Sequence, residues 1–136
     1  MLRSAPVLLA LWGLAVLPAQ AQETSVKLSP RFARSVQAAA GATPATADCQ
    51  SEEWERQDKR LNAAYRQLLS QLPPGKAAEL RAVQRAWLAY VGPKCAFLFD
   101  SDTYSGQQDR LNAQYCEVLE RARRAAELED LDPAKR

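Results

Sequence analysis

The sequence predicts an all-α fold: a small antiparallel three-helix bundle, disulfide-stapled, with a short extra helix on its N-terminal side as an option. Three observations lead there. From Cys49 onward, apolar residues recur at steps of three, four and seven, the spacing of amphipathic helices and not of strands. Turn signals at Pro73-Pro74-Gly75 and across Ser101 to Gly106 divide that pattern into three. The 3 cysteines follow a segment that reads as an export signal, so two of them are expected to pair. At 136 residues there is room for one domain.

The elements follow in chain order. Arg3, an apolar run from Pro6 to Leu17 and Ala19-Gln20-Ala21 make the three parts of a secretory signal peptide, residues 1–21, with cleavage between Ala21 and Gln22. The apolar run is too short to span a bilayer comfortably, so no stable membrane span is expected after cleavage. Residues 22–48, rich in Ala, Ser, Thr and Pro, read as a flexible leader. One short helix fits inside it: Ser29 caps, Pro30 takes the first helical position, Phe32 and Val36 share a face, and Gly41 stops it.

The helical domain runs over residues 49–131. Its first helix has Trp54, Leu61, Tyr65, Leu68 and Leu72 on one stripe. The second has Leu80, Val83, Trp87 and Tyr90. The third has Leu111, Tyr115, Val118, Ala122 and Ala125. These are the expected core, the two tryptophans included. Gly92-Pro93 predicts a kink or break in the second helix. Residues 132–136 read as a disordered tail.

Composition removes several functions. A net charge of +2 is too balanced for a dedicated nucleic-acid binder. With 0 histidines, the usual general base, the Ser/His/Asp and Cys/His arrangements and the commonest metal ligand are all missing. No C-x-x-C is present for zinc, and no cofactor motif is found. The acid pairs Glu52-Glu53 and Glu127/Glu129-Asp130 read as exposed helix faces, not as glycosidase carboxylates. The expectation is a non-catalytic protein.

Short turns make neighbouring helices antiparallel. A turn centred on Pro73-Pro74 sets Asn62 level with Arg85, and Cys49 level with Leu98, one turn from Cys95. A turn near Ser105-Gly106 sets Cys95 level with Cys116. Cys95–Cys116 is therefore the preferred bridge, with Cys49–Cys95 as its rival. The cysteine left over allows a monomer or a disulfide-linked dimer. Asp58 and Asn62, one helical turn apart, meet Arg85 in the same register, and the three read as a hydrogen-bonded lock between helices or as a recognition patch.

Two stretches repeat, Gln57 to Tyr65 and Gln108 to Tyr115, each reading Asp, then Leu-Asn-Ala-x-Tyr. The wider pattern is more specific: Cys49, Asp58, Leu61-Asn62, Tyr65, Gln84-Arg85-x-Trp87, Cys95, Cys116, Arg124 and Leu128. It resembles the lysozyme inhibitor LprI N-terminal domain family over Cys49 to Leu131, most strongly at Gln84 to Tyr90. Where that family usually has Arg-Asp after the string, this chain has Val91-Gly92, and Arg121 replaces a frequent Thr. The resemblance implies a small, helical, cysteine-bearing protein, periplasmic or secreted. It also implies a protein partner, a lysozyme-type muramidase. Asp58, Asn62, Tyr65, Gln84, Arg85, Trp87 and Arg124 are then the family-motif residues. An inhibitor has to block a cleft holding two carboxylates. By charge, Arg81, Arg85, Arg121, Arg123 and Arg124 are the candidates. An envelope interaction module with no lysozyme partner is the alternative.

Overall fold

The computed structural model describes residues 26–98 and 106–135. The signal peptide, with Ala21 and Gln22, lies outside them. Among the described residues there are four α-helices and no strand: α1 (Pro30–Ala39), α2 (Thr43–Gln71), α3 (Pro74–Ala96) and α4 (Gln107–Asp130).

The segment expected as a flexible leader is helical from Pro30, which corrects that expectation. Local chemistry builds α1 as anticipated. Ser29 Oγ accepts the Phe32 N–H at 3.1 Å, and Pro30 opens the helix. The chain leaves it through Ala40 and Gly41 with φ of 47° and 82°, a left-handed exit that glycine tolerates without strain. The reading as a leader underrated Phe32, which is buried with Ala39 and Cys49 and stacks on Tyr115 of α4 with ring centroids 6.0 Å apart. The helix before the first turn begins at Thr43, six residues ahead of Cys49.

α4 packs extensively along α2 and less along α3, whereas α2 and α3 have little direct backbone contact. Between α2 and α4 the links Ser51–Gln114, Trp54–Glu117 and Asp58–Arg121 all keep a separation of 63 residues, so the two helices run in the same direction. Between α3 and α4 the links Cys95–Cys116, Lys94–Glu120 and Gln84–Arg124 descend one helix as they climb the other. The central core is Leu61 and Leu68 of α2, Leu80 of α3, and Ala125 and Leu128 of α4, with Tyr65, Leu72 and Trp87 packed at its edge.

Two expectations for α3 and one for the tail need correction. Val83 and Tyr90 are exposed, at 52% and 57%, and the buried stripe of α3 is Ala77, Leu80, Gln84, Val91 and Cys95. Polar and apolar residues are mixed around α3, so spacing alone selects no face. Pro93 does not end the helix, which continues to Ala96. Its missing N–H forfeits the one bond to Ala89, and helical bonding resumes after it, the Phe97 N–H donating to Pro93 O at 3.0 Å. The tail is not disordered over its described part. Asp132 is buried, its Oδ1 accepts the Ala134 N–H at 2.9 Å, and Pro133–Lys135 form a 3-10 turn.

Cys95 and Cys116 are joined, with their Cα atoms 5.5 Å apart; the rival Cys49–Cys95 pairing is not formed. Cys49 is a free thiol, only 8% exposed under α1. A thiol in that position is expected to react with Ellman's reagent only as fast as α1 opens, and at full speed in denaturant. Immediate stoichiometric labelling of the native protein would contradict the docking of α1.

Candidate functional site

Two helical stripes with the same spacing face each other. α2 presents Asp58, Leu61, Asn62 and Tyr65; α3 presents Arg81, Gln84, Arg85 and Leu88. Both read i, i+3, i+4, i+7, so each set lies on one side of its helix. Because α2 and α3 do not close onto each other, the stripes line a groove of about 320 Å³, with Trp87 at one edge. Asp58, Asn62, Tyr65, Gln84, Arg85 and Trp87 all reach it. Arg124 stands behind: its Nε donates to Gln84 Oε1 at 3.0 Å.

The polar lock expected between α2 and α3 is not made by Arg85. Asp58 Oδ2 accepts from Asn62 Nδ2 at 2.8 Å, but Asp58 Oδ1 accepts from Arg121 of α4 at 3.3 Å. Arg121 is shorter in reach to Asp58 than Arg85 because α4 lies directly against α2. Its guanidinium also covers the Trp54 ring at 4.0 Å and donates to Glu117 Oε2 at 3.1 Å. Trp54 is thus a platform between α2 and α4 and not a core residue, its Nε1 donating to Glu117 at 3.0 Å.

Charge in the groove is uneven. Arg121 is engaged with Asp58 and Glu117; Arg123 is paired with Glu120; Arg124 is buried between Gln84 and Glu127. Arg81 and Arg85 are exposed and have no ion pair or hydrogen bond among the described residues. From Leu80 to Leu98 the chain has no Asp or Glu, so the α3 wall carries positive charge with no local neutralisation.

Away from the groove, Glu53 is a residue the sequence reading misplaced. Its side chain is 0% exposed, and its carboxylate accepts from Ser29 N (2.8 Å), Ser29 Oγ (2.6 Å), Gln57 Nε2 (2.7 Å) and Arg56 Nε (2.8 Å). This pins the start of α1 to α2. A signal for it exists: Cys49, Glu53, Gln57 and Leu61 recur every four residues, so Glu53 lies on the buried stripe.

Three carboxylates are held below their ordinary range. Burial alone would raise Glu53, but hydrogen bonds from Ser29, Arg56 and Gln57 outweigh it. Burial likewise opposes Glu120, and Lys94 with Arg123 overcomes it. For Glu129 the bidentate Arg60 pair, at 2.8 and 2.7 Å, dominates. A carboxylate lowered on folding adds stability above its unfolded value of 4.5 and loses it as pH falls through its folded value. Thermal melts are therefore expected to be flat from pH 7 to about 5 and to fall steeply below about pH 4. A melting temperature that rises on acidification would contradict the three pairings.

Among the described residues, no group of three His, Cys, Asp or Glu side chains is placed to hold a metal ion, and no helix is long and apolar enough to cross a membrane. Comparison with curated proteins and with solved structures gives no match. The model of the family described as lysozyme inhibitor LprI matches residues 33–130, from the second turn of α1 to the end of α4. That span holds the groove and the disulfide, and on this match over most of its length the chain belongs to the lysozyme inhibitor LprI family.

Proposed function

We propose that this chain is an exported, non-catalytic protein, periplasmic or secreted, that binds a lysozyme-type muramidase and inhibits it. Membership of a lysozyme inhibitor family supports the class of partner. The observation that carries the rest is the pair Arg81 and Arg85, exposed on α3 with no partner of their own. A muramidase cleft holds two carboxylates, and an arginine offered from a fixed helix can bind a carboxylate with both arms of its guanidinium. Arg121 and Arg124 are engaged with Asp58 of α2 and Gln84 of α3 and are assigned to holding α4 in place, and Arg123 is paired with Glu120 of its own helix. No disulfide-linked dimer is expected, since the unpaired Cys49 is buried. Identical migration on reducing and non-reducing gels, apart from the small shift of an internal disulfide, is the expected result.

The test is lysis of cell-wall substrate by lysozyme in the presence of the purified, disulfide-intact protein. Slowing that saturates with inhibitor concentration is expected, and Arg81→Ala with Arg85→Ala should weaken it at least about tenfold. No slowing at a large molar excess removes the reading.

A second reading is favoured by one observation. Val83, Leu88, Tyr90, Phe97 and Leu98 are exposed on or just after α3, Phe97 to 87%. Such a patch suits an envelope interaction module without a lysozyme partner. Repeated recovery of one envelope protein from extract, with no muramidase, would support it.

A further inference from the structure

We propose that the α2–α3 groove is a binding site for a saccharide that carries a carboxylate. This goes beyond inhibition of an enzyme and does not depend on it, since the ligand is a glycan and the site is complete in this chain. Three features argue for it together. The first is an amide held in one orientation. Gln84 is only 8% exposed, and its Oε1 is taken by Arg124 Nε at 3.0 Å. That bond fixes which way the amide points, and Nε2 has no partner among the described residues although Gln84 lines the groove. The amide nitrogen is open to the groove, a donor held in one direction and available to an acceptor on a ligand.

The second feature is the mixture of groups around it. Trp87 and Tyr65 are half-buried against the core and also line the groove, one from each helix. Sugar rings present an apolar C–H face and a rim of hydroxyls, which call for an aromatic surface beside planar hydrogen-bonding groups. Asn62 and Gln84 supply amides, and Asp58 supplies carboxylate oxygens. The third feature is charge. Asp58 is already offset by Arg121 and Asn62, so it does not repel an anion as a bare carboxylate would. Arg81 and Arg85 on the opposite wall remain unpaired, enough to hold one carboxylate by charge-assisted hydrogen bonds. The volume of about 320 Å³ suits one or two rings.

The probe is the disaccharide of N-acetylglucosamine and N-acetylmuramic acid, whose lactyl group bears the carboxylate, titrated into the isotope-labelled protein and followed by NMR. Saturable shifts at the Gln84 side-chain amide and the Trp87 indole are expected. N,N′-diacetylchitobiose, the same scaffold without the acid, should bind about tenfold more weakly, and so should N-acetylglutamate, an acid without the sugar. Arg81→Ala with Arg85→Ala, both exposed and without hydrogen bonds or ion pairs among the described residues, should cut affinity for the acidic disaccharide about tenfold and remove its preference over chitobiose. Equal binding of the two disaccharides, equal binding of N-acetylglutamate, shifts confined to other surfaces, or no saturation at millimolar ligand would each overturn the proposal. Slowing of lysozyme without disaccharide binding defeats this inference alone; disaccharide binding without any effect on lysozyme defeats only the proposed function.

Discussion

Glu53→Ala is expected to lower the stability of the protein by about 3 kcal/mol, the lower end of what removal of one partner from a buried ionic cluster costs. The figure is kept low because Arg56 is about one-third exposed and water can replace its lost contact. Ser29 and Gln57 lose their acceptor as well, and these are the groups that hold the start of α1. Released from α2, α1 uncovers Phe32 and Cys49. The variant should therefore show two linked changes: an earlier midpoint in urea and rapid labelling of Cys49 under native conditions. Glu53→Gln keeps the shape and part of the hydrogen bonding, so its loss should be smaller. An unchanged midpoint with a still-protected thiol would show that α1 is held by its apolar contacts alone.

Removal of the Cys95–Cys116 bridge is the second large effect. The bridge closes a loop with a sequence separation of 21, for which the loss is about 3 kcal/mol in the chain-entropy account. Its consequence is concentrated in α3. That helix packs on α4 and has little direct contact with α2, and its outward side chains Val83, Tyr90 and Phe97 gain nothing from the fold. With the staple gone, Lys94–Glu120, Gln84–Arg124, the buried stripe from Ala77 to Val91 and Trp87 at the core edge are what keep it in place among the described residues. The double variant Cys95→Ala, Cys116→Ala should melt well below the native protein, and reductant should shift the native protein by the same amount and leave the variant unaffected. Since α3 supplies one wall of the groove, ligand or partner binding should fall with it. A double variant as stable as the native chain would mean that packing alone positions α3.

The register of the helices was legible because it depends on turn positions. Level pairing across Pro73-Pro74 puts Asn62 and Arg85 on one groove, and level pairing across Gly106 puts Cys95 beside Cys116, as the structure has them. α1 was legible locally, from Ser29, Pro30 and Gly41, but not as part of the folded unit. Its anchor is Glu53, 24 residues from Ser29, and no local rule announces that contact. The inward face of α3 was not legible, because Lys76, Glu79, Arg81, Gln84 and Arg85 are spread around the helix and leave no clean apolar stripe. The partner of Asp58 was misassigned for a related reason. Counting through a turn ranks neighbours along the chain, while the closest neighbour of α2 is α4. The family string Gln84 to Trp87 lies along the groove, but what distinguishes Arg85 there from Arg124 is whether a carboxylate or amide of this chain already engages it. That is decided by packing.

The most direct test of the central claim is a substrate-free titration of lysozyme with the disulfide-intact protein, comparing the native chain with Arg81→Ala, Arg85→Ala by calorimetry. A saturable heat for the native chain, with affinity reduced at least about tenfold in the variant at equal thermal stability, is the expected result. No heat of binding from the native chain, or the same affinity from both, would contradict the assignment of the α3 arginines as the contact with a muramidase.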